Sequence, residues 1–104
     1  MECKKIVKII LPAIRMSLAL RLKEEGLTQQ EIADVLGVAQ AAISKYFNGK
    51  CSRSIKEMSG AISRKGLLDS LVEKAKEGRK EEVEKGIDEL CEKIVASANF
   101  GNAG

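Results

Sequence analysis

The sequence predicts an all-α protein on three observations. Its 104 residues are 44% hydrophobic but only 3% aromatic, so the apolar content is Ile, Leu, Val and Ala, which pack helix against helix. Apolar positions recur at three- and four-residue intervals, and no stretch keeps the two-residue alternation of a strand, so a wing hairpin is not expected. A single proline and glycines at 26, 37, 49, 66 and 78 punctuate the pattern where helices would begin and end. The length suits one domain with one modest core, which excludes a large two-domain enzyme.

The elements follow in order. Ile6, Ile10, Ile14, Leu18 and Leu22 recur every four residues, with Val7, Leu11 and Ala19 widening the stripe, so residues 4–25 read as helix. Pro12 is expected to end a first short helix near Ile10 and to start the next, because proline fits a first turn and breaks an interior. Gly26 stops the second piece. The stripe is wide enough that the N-terminal piece should also meet a partner or the C-terminal arm.

Residues 28–49 are the most informative stretch. Thr28 followed by Glu31 is a capping-box spacing, in which each side chain answers a free backbone N–H, so a helix should begin at Gln29. Ile32, Ala33, Val35 and Leu36 give it an apolar side, and Gly37 supplies the left-handed residue that ends it. Val38 plugs the turn. A second helix from about Gln40 to Phe47 would bury Ile43 and one or both of Tyr46 and Phe47, with Asn48 and Gly49 closing it. Small Ala33 stands where two steeply crossing helices come close.

Further on, Ser54 and Glu57 repeat the capping-box spacing and open a helix with Ile55, Met58 and Ile62 on one face, ended by Gly66. Leu67, Leu68, Leu71, Val72 and Ala75 form the next stripe. Gly78 separates it from a last helix carrying Val83, Ile87, Leu90 and Ile94 at heptad-like spacing. Glu81 with Lys85 and Glu89 with Lys93 should pair along its exposed side. The small, polar residues from about Ser97 onward should fray.

Charge is segregated. Lys45, Lys50, Arg53, Lys56, Arg64 and Lys65 stand against Glu57 alone between positions 45 and 65, a balance of +5, whereas positions 69–92 carry nine acids and five bases, −4. The formal +3 of the chain conceals a basic middle and an acidic arm, and a polyanion should meet the former. Lys8, Arg15 and Arg21 break the N-terminal apolar run before it could span a bilayer, so no membrane partner is expected and the chain reads as cytoplasmic.

Cys3, Cys51 and Cys91 are far apart, and the chain has no histidine, so no metal site and no cofactor are expected. Reduced, partly buried thiols are the expected state, with an intersubunit disulfide as the alternative. Abundant Lys and Glu without His or Trp leans toward a thermophile. No nucleophile–base pair and no Gly-rich phosphate loop suggests itself, so the chain is read as a non-enzyme. Cys51, close to Lys50 and Arg53, is either an inert thiol or a redox sensor.

The 28–49 unit resembles the Cro/C1-type (XRE, lambda-repressor-like) helix-turn-helix family, matching its Gln, Ala, Gly and Ile in order at Gln29, Ala33, Gly37 and Ile43, with Phe47, Asn48 and Gly49 also alike. From Leu11–Arg15 through Gly49 the chain is similar to archaeal stand-alone regulators of this class. The resemblance implies a lambda-repressor-like DNA-binding domain, here with an N-terminal helix and an added C-terminal helical pair. It also implies that Gln40 matches a base-reading Gln, and that Gln29 and Asn48 match positions that contact phosphate and brace the reading helix. The family normally starts this helix with Ser or Thr; Ala39 cannot cap it, leaving its N–H groups to phosphate or water.

The residues themselves support a groove reader. An amide such as Gln40 can donate to and accept from adenine together, Ala41 can pack on a thymine methyl, and Ser44 and Lys45 lie one turn onward to reach bases or backbone. Lys50 and Arg53 add charge for phosphates. Gln29, Gln30 and Gln40 are the only glutamines and all fall in this unit.

The expected organisation is a helix-turn-helix DNA-binding domain at 1–66, a C-terminal helical arm at 67–97 for dimerisation or for packing on the N-terminal stripe, and a frayed tail at 98–104. The expected function is sequence-specific transcriptional regulation, as a homodimeric repressor on double-stranded DNA with reading helices about 34 Å apart and no small-molecule effector. The alternatives are a nonspecific architectural DNA binder and an antitoxin-like interaction module.

Overall fold

The computed structural model describes the backbone of residues 2–103 and the side chains of residues 8–97. The described residues form six helices: α1 (Glu2–Glu24), α2 (Gln29–Leu36), α3 (Gln40–Phe47), α4 (Arg53–Arg64), α5 (Asp69–Lys76) and α6 (Lys80–Ala103). The described residues contain no strand.

α1 is the central element. Its stripe of Ile10, Ile14, Leu18 and Leu22 is fully buried, as is Ala19, while Ile6, Val7 and Cys3 lie outside the residues whose side chains are described. Burial extends beyond the stripe to Ala13, Met16 and Ser17, because α4 and α6 pack on α1 from further sides. Ser17 Oγ donates to the Ser59 carbonyl at 2.9 Å and shares a 2.6 Å hydrogen bond with Ser59 Oγ, so the α1–α4 contact contains a satisfied polar pair.

The break expected at Pro12 does not occur; α1 runs through it. The ring forfeits the N–H that would bond the carbonyl of Lys8, but Lys8 is exposed, so water can serve that carbonyl. Burial of Ile10, Ala13 and Ile14 on either side keeps one axis.

α4 also starts earlier than its spacing predicts. Its N-cap is Ser52, whose hydroxyl accepts from the Ile55 N–H at 3.3 Å, and not Ser54. The earlier start brings Arg53 into the helix, where it pairs with Glu57 at 3.4 Å; that carboxylate is therefore no capping partner.

The C-terminal pair folds back onto the same core. Leu68, Leu71, Val72 and Ala75 of the α5 segment and Val83, Ile87 and Cys91 of α6 join the α1 side chains in one cluster. Leu71 seats directly against Gly86, where any Cβ would collide with it. Leu90 and Ile94 are half-buried, so only part of the heptad-like face is covered. The pairs Glu81–Lys85 and Glu89–Lys93 do not form among the described residues; Arg79 instead engages Glu77 at 2.9 Å and Glu82 at 3.3 Å. Exposed pairs gain little over hydration, so four-residue spacing alone does not close them. The helix continues to Ala103, into the 98–104 stretch where fraying is expected, on the backbone hydrogen bonds of its preceding turns.

Candidate nucleic-acid interface

The two-helix unit is set by local chemistry at both ends. Thr28 Oγ1 accepts from the Glu31 N–H at 3.1 Å while Glu31 Oε1 accepts from the Thr28 N–H at 2.8 Å, so α2 starts at Gln29 with a complete capping box. Gly37 ends it at φ 69°, letting its own N–H reach the Asp34 carbonyl and the Val38 N–H reach the Ala33 carbonyl at 3.1 Å. The chain then turns directly into α3.

Ile43 is fully buried beneath α3, and Tyr46 and Phe47 pack against the core half-buried. Burial holds the Tyr46 hydroxyl above its ordinary pKa and so neutral, with Arg15 opposing and Cys51 adding to the effect. Lys23, at the end of α1, lies 4.5 Å from the centre of the Phe47 ring. The aromatics therefore close the core.

Gln40, Ala41, Ser44 and Lys45 share the opposite side of α3, since positions one, four and five apart fall on one helical face. Gln40, Ala41 and Lys45 are exposed; Ser44 is half-buried and accepts from Asn48 Nδ2 at 3.4 Å. Gln29 Nε2 donates to the Gln40 main-chain carbonyl at 3.0 Å, which joins the starts of the two helices and leaves the Gln40 side chain outside. Ala39 caps nothing, so the first N–H groups of α3 have no side-chain acceptor.

Lys50 is exposed just beyond the α3 terminus, and Arg53, on the first turn of α4, has a side chain 92% exposed despite its contact with Glu57. Lys56 extends this basic surface: its Nζ stands 3.7 Å from where a Cβ on Gly49 would be, over the α3–α4 loop. Its position one helical turn after Arg53 is the sequence signal that places Lys56 on this surface. Cys51, in the same loop, is a half-buried free thiol. Cys91 is buried in α6, and burial raises its pKa.

Among the described residues no group of three His, Cys, Asp or Glu is arranged to hold a metal ion, and no helix is long and apolar enough to cross a membrane. Residues 18–58 match the family described as helix-turn-helix, a span running from mid-α1 into α4. No curated protein and no solved structure gives a significant match to the chain.

Proposed function

We propose that the chain is a sequence-specific transcriptional regulator acting as a homodimeric repressor, with residues 18–58, which match the helix-turn-helix family, as a DNA-binding domain of the Cro/C1 type. α3 lies in the major groove of double-stranded DNA. Gln40 reads a base edge, Ala41, Ser44 and Lys45 contact neighbouring bases, and Gln29, Asn48, Lys50 and Arg53 hold phosphates. The observation that carries this reading is the exposed Gln40 side chain at the first turn of α3, held outward while its carbonyl is taken by Gln29.

Duplexes selected from a random pool test it. Gln40→Ala should cost about 1–3 kcal/mol of discrimination at one position and relax preference there. Lys50→Ala should weaken all duplexes alike and reduce the salt slope by about one. An unchanged base preference in Gln40→Ala removes the reading helix from the proposal. Equal affinity for selected and random duplexes at physiological salt replaces sequence reading with architectural binding.

The dimer surface proposed is the outer side of the 67–97 segment, where Leu67 is 39% exposed and lines one shallow depression with half-buried Leu90. Because α6 contributes Val83 and Ile87 to the core, deleting it would confound folding with assembly. Leu67→Glu is the cleaner probe: light scattering should give the mass of one chain, and an intact dimer rejects this surface.

A further inference from the structure

Two lysines from different helices converge on the C-terminal end of α3. Lys23, in the last turn of α1, holds its ammonium 4.5 Å from the centre of the Phe47 ring, and Phe47 is the last residue of α3. Lys56 reaches the same end from α4: its Nζ and Cε each stand 3.7 Å from where a Cβ on Gly49 would be, just past the Asn48 cap. Both lysines are exposed, and among the described residues neither forms an ion pair with N···O within 4.0 Å.

The spacing within α3 says which edge Lys23 occupies. Phe47 follows Gln40 by seven residues, nearly two full turns, so the ring and the ammonium over it lie along the Gln40 edge of the helix, about 10 Å further on. Lys45, five residues from Gln40, falls about 140° round the helix, on the other edge. A helix in a major groove about 12 Å wide has a phosphate strand along either side. Lys23 thus supplies positive charge on the edge that bears the neutral amides of Gln29 and Gln40. Ordering a mobile lysine on binding costs affinity. Both ammoniums here are already seated, Lys23 on the negative face of a ring and Lys56 by the C-terminal end of α3, where the helix dipole favours a cation.

We propose that Lys23 and Lys56 are DNA-backbone contacts that hold the C-terminal end of α3, each donating to one phosphate oxygen. The inference rests on the reading of α3 as the groove-entering helix, and it adds a contact from α1 and one further along α4 to those of Lys50 and Arg53. Phosphate contacts carry no sequence information, so the pair sets affinity and not base preference.

Anisotropy titrations of the full chain on its selected duplex, over a series of potassium chloride concentrations, test it. Lys23→Met and Lys56→Met should each weaken binding at least about threefold and lower the slope of log affinity against log salt by about 0.9, with base preference unchanged. Lys23→Arg should keep the slope, because the cation is retained. Duplexes that each carry one neutral methylphosphonate locate the contact: the parent should lose affinity at a phosphate where Lys23→Met loses none. That pattern does not depend on stability, so it also tests a variant that melts lower without DNA. An unchanged slope in either Met variant, with the parent bound to its duplex, overturns this inference alone; it is the result expected if the two lysines only steady the end of α3 in the free protein. A parent that binds no duplex overturns the reading of α3 and this inference together.

Discussion

The side-chain amide of Gln29 holds the main-chain carbonyl of Gln40 at 3.0 Å, so the first residue of α2 fixes where the first residue of α3 stands. A neutral hydrogen bond of this kind contributes about 0.5–1.5 kcal/mol net. In a groove reader that energy fixes the reading helix before DNA arrives.

Gln29→Ala should therefore lower affinity for a selected duplex by about two- to tenfold while leaving base preference intact. Fluorescence anisotropy on the selected duplex and its single-base variants checks both parts. An altered preference would show that Gln29 itself reads sequence.

The buried Ser17–Ser59 pair makes a stability prediction. Ser17→Ala strands a hydroxyl that now shares a 2.6 Å bond, at a cost of about 1–3 kcal/mol. Ser17→Ala with Ser59→Ala should cost less than the sum of the single changes, because no hydroxyl is left unsatisfied. Urea midpoints of the two single variants and the double variant measure it; strict additivity would mean that the hydroxyls do not interact.

At Gly37 backbone strain is the main penalty, because the nearest atom a Cβ would meet is the tip of the exposed, flexible Glu84 side chain. An alanine there is held at φ 69°, which costs an L-residue about 1–2 kcal/mol, and its Cβ would stand 2.8 Å from Glu84 Oε1 of α6. Gly37→Ala should lower stability by at least that amount. Adding Glu84→Ala should recover only the steric part, since the backbone strain remains; full recovery in thermal melts would contradict a strained turn.

Glu25 and Lys76 predict a pH dependence. The bond to Lys76 holds the Glu25 carboxyl below its usual range, and the bond to Glu25 raises the Lys76 ammonium above its own. A depressed carboxylate stabilises the fold above its unfolded pKa and loses that contribution as pH falls through its folded pKa; a raised ammonium stabilises below its unfolded pKa and loses it as pH rises through its folded value. The pair thus helps from the weakly acidic to the moderately alkaline range. Lys76→Met should lower the melting temperature slightly across that interval and converge with the parent at strongly acidic pH. A constant difference across the acid range would locate the effect elsewhere.

The sequence by itself determined what neighbours along the chain can decide. Thr28 and Glu31 are three residues apart, so α2 could begin only where their reciprocal cap forms; Gly37 tolerates the left-handed turn, so α2 and α3 fall on either side of it. The exposed face of α3 was legible for the same reason, because helical spacing separates Gln40 and Lys45 from Ile43. Only the tertiary structure decided the rest. Pro12 stays inside one helix because burial on both sides of it outweighs a local preference, and Ser17 is buried because Ser59, 42 residues away, completes its hydrogen bonds. The course of α6 likewise depends on the fit of Leu71 against Gly86 and on how much apolar surface α1 leaves open. Caps and turns depend on a few adjacent torsions, whereas burial depends on which distant surfaces meet, and hydrophobic period alone does not distinguish a face that folds inward from one that waits for a second chain.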